Sequence, residues 1–378
     1  MQRGTTVQLE FGHFRQPKGC KTCLFIALYV LVLQAGSVMA ETVLSARFGV
    51  NQITCPAASD THLSVPFLRL PVRFSGVVEQ VNGTDQGDVT LSPSIEVSWT
   101  SSEFVGSYYL RVLTGDLRGH WFDITENTES AVTVERSAVG DLQFKQGDRF
   151  IILRHWTLDS LFPPTEQTTI HESSGDLPFQ QSTNVLLPDL NGEGIDLPAK
   201  WICYLTSEGW KQSAPEFPAA GDLVIPPGST LIVRHPGGVE NTVFMPNGQV
   251  LMQEDALLLY ASHEAAQDNE VALHRPVASK LSESGLEAPA FQESAGHDAG
   301  TRADELLIFD NSATGFNKPA GQVFYRFEGA WYEDGGLGDA NPVADDVLAL
   351  QPATGMLIRK APSSRGTATW LNTATYTE

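Results

Sequence analysis

The chain has 378 residues, with 24 Lys and Arg against 45 Asp and Glu, a formal net charge of −21. That acidic balance argues against nucleic acid as a partner, because phosphate binding rests on clustered cations, and it gives no attraction to an anionic membrane surface. At about 100–200 residues per domain, the length suggests two or three domains with ample core.

The first residues carry the pattern of a sorting signal. Arg3, Arg15, Lys18 and Lys21 precede an eleven-residue apolar run, residues 23–33, and the small residues Val38, Met39 and Ala40 follow. Residues 1–40 are therefore expected to be a signal peptide, cleaved after Ala40. The run is shorter than the roughly 20 residues a bilayer core requires, so no membrane span is expected after cleavage. Cys20 and Cys23 leave with the signal. Taking four bases and one acid from 24 and 45 leaves 20 and 44, a net of −24. Two cysteines remain, Cys55 and Cys203, an even number that permits one disulfide in an oxidising compartment; two buried thiols are the alternative. The expected localisation is secreted, periplasmic or at the cell surface.

Past the signal, short β-type runs dominate. Residues 75–81 lead into Asn82-Gly83, a dipeptide suited to a hairpin turn because both central positions need positive φ. Runs at 89–91, 108–113, 121–124, 131–135 and 149–153 follow, spaced about ten residues apart as in a β-sandwich or barrel. Val243-Phe244-Met245 and Gln249-Val250-Leu251 flank Pro246-Asn247-Gly248, a second expected hairpin. Helical candidates are short, at 157–162 and 279–285. The stretch 283–304, rich in Ser, Ala, Gly and acids, reads as a mobile loop.

The chain writes one segment twice. "DLPAKWICYLTSEGW" (196–210) and "NKPAGQVFYRFEGAW" (317–331) lie 121 positions apart. With that offset and no gap, residues 185–210 lie over 306–331 with seven of 26 positions identical: Leu186/Leu307, Asp189/Asp310, Gly194/Gly315, Pro198/Pro319, Ala199/Ala320, Tyr204/Tyr325 and Trp210/Trp331. Farther on, Pro227 to Arg234 matches Pro352 to Arg359, with seven steps in each. Asp148 and Asp268 are candidate starts of the two copies. The glycines suit positive φ, and the prolines launch an extended segment. In copy two Val323, Tyr325 and Phe327 share one face of a strand; a Glu328-Gly329 turn would place Trp331 on the returning strand.

The repeat nominates ligand-binding residues: Tyr204, Trp210 and Arg234 in copy one, Tyr325, Trp331 and Arg359 in copy two. An arginine at a strand end offers bidentate donors to a carboxylate, against the plainer role of pairing with local acids. A tryptophan can stack on a sugar ring, against the plainer role of filling a core. Asp189, Asn191, Glu193 and Asp196 form an oxygen-rich turn, but copy two has Thr314 and Asn317 in place of the last two, so the turn is shared and the charge is not; no metal is expected. The nine histidines show no metal-ligand spacing, and nucleophile-elbow and phosphate-loop motifs are missing. No cofactor and no catalytic residue is named.

"GVNQITCPAASDTHLSVPF" (49–67), "HWTLDSLFP" (155–163), "QDNEVALHRPVASKLSESGL" (267–286), "DELLIFDNSATGFNKPAGQVFYRFEGAW" (304–331) and "GMLIRKA" (355–361) together resemble a family of secreted hypothetical proteins from Verrucomicrobia and related bacteria. The likeness spans essentially all of the chain past the signal. It implies bacterial export and a β-rich unit, and carries over no activity, cofactor or catalytic residue.

The expected fold is all-β: a multi-module β-sandwich or barrel-like architecture with an internal duplication and few short helices. An N-terminal β-domain is expected over 41–147, copy one over 148–267 and copy two over 268–378. The expected function is non-enzymatic binding or a structural role in the envelope or outside the cell, with a polysaccharide or envelope protein as partner. The alternative is a glycan-active hydrolase with paired carboxylates between domains.

Overall fold

A computed structural model describes residues 47–83, 87–336, 339–344, 346–362, 366–374 and 376. The chain is nearly all β, with a closed six-stranded barrel, a five-stranded sheet, a six-stranded sheet and several two-stranded ribbons. The barrel closes in the order Phe74–Gly83, Asp88–Pro93, Val132–Glu135, Trp121–Asn127, Tyr108–Val112, Arg149–Arg154. Its interior follows from the pleat: Val89 and Leu91, Leu110 and Val112, Phe122 and Ile124, Val132 and Val134, and Phe150 and Ile152 fill one core from alternate positions. The runs expected here fall in these strands. The expected Asn82-Gly83 turn does not form, since both residues remain paired, with Thr90 and Val89; residues 84–86 lie outside the described residues.

The two copies build the same sheet. Copy one runs Gly209–Gln212, Trp201–Thr206, Asn184–Leu187, Thr230–His235, Ser59–Ser64. Copy two runs Ala330–Gly336, Gln322–Phe327, Glu305–Ile308, Met356–Lys360, Gln267–Val271, with Asp339–Pro342 added at the hairpin edge. The last strands correspond, so the counterpart of Asp268 is Asp60, which precedes the barrel. Copy one is therefore discontinuous: the barrel strands lie between its first strand and its second. Asp148, expected to open copy one, instead leads into a barrel strand, and Arg149–Arg154 pairs with Phe74–Gly83 and Tyr108–Val112. Strand pairing thus cuts across the expected boundary at 147/148, because edge pairing is a non-local choice that neighbouring residues do not encode.

One face of each sheet fills a hydrophobic core. Leu63, Val185, Leu187, Cys203, Leu205, Trp210 and Val233 fill the core of copy one, and Leu306, Ile308, Phe324, Trp331, Met356 and Ile358 that of copy two. Glu328 and Gly329 both take positive φ, and Trp331 returns opposite Arg326, so the turn reading of that stretch is the right one.

Both helical candidates are present. Leu158–Leu161 is α-helical and capped by Thr157, whose hydroxyl accepts from the Ser160 amide; Leu281–Glu283 is a 3-10 turn. Two further expectations fail. Thr242–Phe244 and Asn247–Gln249 do not pair as a hairpin but with Ile53–Cys55 and Phe48–Val50. A Cβ at Gly248 would lie 2.6 Å from the Leu68 carbonyl, a close backbone approach open only to glycine. The stretch 283–304 is packed: Leu286, Ala290 and Phe291 join the core. Lys360 Nζ donates to the Ala290 carbonyl at 2.6 Å and to the buried Asp304 carboxylate. Its polar composition hid three apolar anchors.

Candidate functional site

Both repeat arginines lie where the modules meet. In copy one Arg234 holds Asp60 through two bonds of 2.7 Å, Nε to Oδ1 and Nη2 to Oδ2. In copy two Arg359 holds Asp268 the same way, at 2.7 and 2.9 Å. Each pair then receives the turn of the other copy. The amides of Asn317 and Asp196 donate to Asp60 and Asp268 at 2.7 and 2.8 Å. In return, the amides of Asp60 and Asp268 donate to the carbonyls of Gly315 and Gly194, both at 2.9 Å. The exchange continues where Ser64 donates to the Ala353 carbonyl and Ala272 to the Gly228 carbonyl, both at 2.8 Å. A Cβ at Gly355 would meet the Thr230 Cβ at 2.9 Å, and these two positions are equivalent in the repeat. The repeated Gly, turn and Arg residues thus form a reciprocal interlock, and their first task is to join two modules. The oxygen-rich turn takes part: in copy two Lys318 Nζ donates to the carbonyls of Asp310 and Ala313 at 2.8 and 2.7 Å. No group of three or more metal-ligating side chains occurs among the described residues.

The tyrosines anchor a second shared feature. Tyr204 donates to Asp176 Oδ1 at 3.0 Å, with Lys211 Nζ on the same carboxylate. Tyr325 shares a 2.9 Å hydrogen bond with His297 Nδ1, under the ring of Tyr332. Asp176 and His297 are 121 apart, as are Lys211 and Tyr332. Ser173 and Ser294, also 121 apart, donate to the Leu205 and Arg326 carbonyls at 2.7 and 2.8 Å. The repeat therefore begins upstream of Val185; the identities Ser173/Ser294 and Gly175/Gly296 were its signal. Both tyrosines are fully buried, and burial pushes the Tyr204 hydroxyl up to about 12.

The tryptophans differ between the copies. Trp210 is sealed: its Nε1 donates to the Phe162 carbonyl at 3.1 Å, and the Phe162 ring lies 6.1 Å away. Trp331 packs on Phe291 at 5.2 Å, but one side of it lines a groove of about 340 Å³ together with Leu281, Ser282, Leu286, Glu287, Arg326 and Ala330. Arg326 lies over the indole at 5.7 Å. Its Nη1 donates to the Leu286 carbonyl at 3.1 Å and its Nη2 to the Gly329 carbonyl at 3.3 Å, and Glu293 pairs with it at 3.3 Å. Arg326 Nε is buried without a partner. Residue 326 has Leu205 as its counterpart in copy one, so the groove is not part of what was duplicated.

Other charged groups are bound up in structure. Asp268 and Glu270 share a strand face between the modules, but Asp268 is held by Arg359, and Glu270 accepts from Thr230 Oγ1 at 2.8 Å while burial raises its pKa. Arg111 of the barrel meets Asp255 at 2.5 Å; Asp255 accepts from His274 Nδ1 at 2.8 Å; His274 Nε2 accepts from the Gly228 amide at 3.0 Å. The amide fixes the tautomer, because Nε2 must present a lone pair to it. Burial alone would raise the Asp255 pKa, yet the Arg111 guanidinium and the hydrogen bonds from Arg111 and His274 hold it well below the carboxylate range. Cys55 and Cys203 lie unbridged in the core of copy one, so the disulfide that their number permitted is not formed. Burial pushes their thiols up to about 11 and 12.

No protein-family model, curated protein or solved structure matches the chain. No helix among the described residues is long and apolar enough to cross a membrane.

Proposed function

We propose that this is an exported, non-enzymatic binding protein in which the duplicated modules form a scaffold and the copy-two groove beside Trp331 receives the ligand. The signal-like pattern of residues 1–40 supports export. The observation that carries the binding reading is the contrast within the repeat: both tryptophans are buried, but one has its N–H capped by a backbone carbonyl and the other borders a groove of ligand size. The repeat arginines support the scaffold half, because both are engaged with buried aspartates in the interlock.

The test is a glycan array of bacterial and algal polysaccharides probed with the secreted protein. Ala330 is exposed on the hairpin and lines the groove, so Ala330→Trp fills the groove without replacing a core residue. Ligand capture is expected to survive Trp210→Phe and to vanish in Ala330→Trp with the circular dichroism unchanged. A blank array, or capture indifferent to Ala330→Trp, overturns the reading.

A further inference from the structure

Resting on that reading, we infer that the copy-two groove takes a neutral, polyhydroxylated ligand, a short uncharged saccharide, in preference to an anionic or a cationic one. Besides Arg326, three residues with polar side-chain atoms line the groove: Ser282 with its hydroxyl and Glu287 with its carboxylate, both exposed, and Trp331 with its indole N–H. They line the groove together and mix donors with an acceptor. A saccharide hydroxyl both donates and accepts, so one ring can answer an N–H, a carboxylate and a hydroxyl at once. The apolar wall of Leu281, Leu286, Ala330 and Val343 suits the C–H face of such a ring.

Charge decides against the other classes. The Arg326 cation is balanced by Glu293 at 3.3 Å and by two backbone carbonyls. Glu287 then leaves the groove with a net negative charge, which repels a uronate or phosphate. A cation would be drawn to Glu287 and to the indole face, but the guanidinium already lies over that indole, so a second cation would sit beside the first. An uncharged ring meets neither penalty.

The experiment is titration calorimetry of the full secreted protein with three probes of matched length: neutral β-1,4-linked gluco- and manno-oligosaccharides, oligouronates, and glucosamine oligomers. The expected result is heat from the neutral series only. Glu287→Gln should weaken that binding by about tenfold or more, the worth of one hydrogen bond to a charged group, and Ala330→Trp should abolish it. Glu287 is exposed, so its variant keeps the fold. Preferential binding of uronates or amines in the same groove, or neutral binding unmoved by Glu287→Gln, overturns the inference and leaves the groove reading standing. If no series binds and Ala330→Trp changes nothing, the groove reading falls with it.

Discussion

Asp255→Asn tests how the barrel is held to the modules. The substitution keeps the shape and removes one charge from a carboxylate that is fully buried between Arg111 and His274. Arg111 is itself fully buried, and its Nε and Nη1 already lack partners, so no other carboxylate takes over. Breaking one partner of a buried pair costs about 3–5 kcal/mol, most of it the penalty of the charge left behind. The asparagine oxygen can still accept from one neighbour, which puts the expected loss toward the lower figure. Urea unfolding should show it as a lower midpoint with an unchanged slope. The partner variant isolates the cause: in an Arg111→Met background no guanidinium remains to be stranded, so Asp255→Asn should cost at least about 1 kcal/mol less there. A loss within about 0.5 kcal/mol in the wild-type background, or an equal loss in both backgrounds, refutes the claim that a buried charge is what Asp255 neutralises.

Three further outcomes are expected. Burial holds His62 and His235 at about 4, below the ordinary value of 6.5. The unfolded chain therefore takes up their protons first. Their stabilisation is whole above pH 6.5 and is lost as pH falls toward 4, by up to about 3 kcal/mol at His62 and by less at His235, which lies less deep and where solvent screens the charge more. Asp60 opposes the shift at His62, and His171 adds to it at His235. His62→Gln and His235→Gln should each flatten the pH profile of the unfolding midpoint between 6.5 and 4; a profile as steep as wild type in both would rule out this source. Gly355→Ala sets a Cβ 2.9 Å from the Thr230 Cβ where the modules meet. It should cost about 1–3 kcal/mol by overpacking, and thermal unfolding that is unchanged would show that the junction gives way freely. Cys55 and Cys203 should stay unlabelled by a thiol reagent at neutral pH in the folded protein and react once it is unfolded in denaturant without reductant; silence after unfolding would instead mean a disulfide.

Much of the β architecture was legible because a pleat has period two: Val89 and Leu91, or Phe150 and Ile152, announce a buried face whatever their partners. Thr157 with Ser160 likewise marks its helix locally, through a hydroxyl that caps an amide three residues on. The seven identities of the repeat marked a shared unit, and Gly194 and Gly315 do take the positive φ they suggested. What the local pattern does not contain is partnership. Ser59–Ser64 pairs with Thr230–His235 across the whole barrel, and nothing near residue 60 says so. The Pro246-Asn247-Gly248 turn lost to pairing with the N-terminal ribbon because a backbone edge accepts whichever strand the tertiary fold brings to it.

The candidate site divides the same way. Residue type marked Tyr204, Trp210, Arg234, Tyr325, Trp331 and Arg359 as positions the fold needs twice. Only the tertiary structure decided that the tyrosines are buried under Asp176 and His297, that the arginines bind aspartates within their own sheets while receiving turns from the other copy, and that one buried tryptophan has its N–H capped while the other borders a groove. Identical residues diverge in role because burial and hydrogen bonding are set by what packs on them: Phe162 closes over Trp210, while Arg326 and Glu287 stand at an open groove beside Trp331. A chain determines its faces locally, through side-chain alternation, but its contacts only collectively, through the single arrangement that satisfies the buried backbone and charges at once.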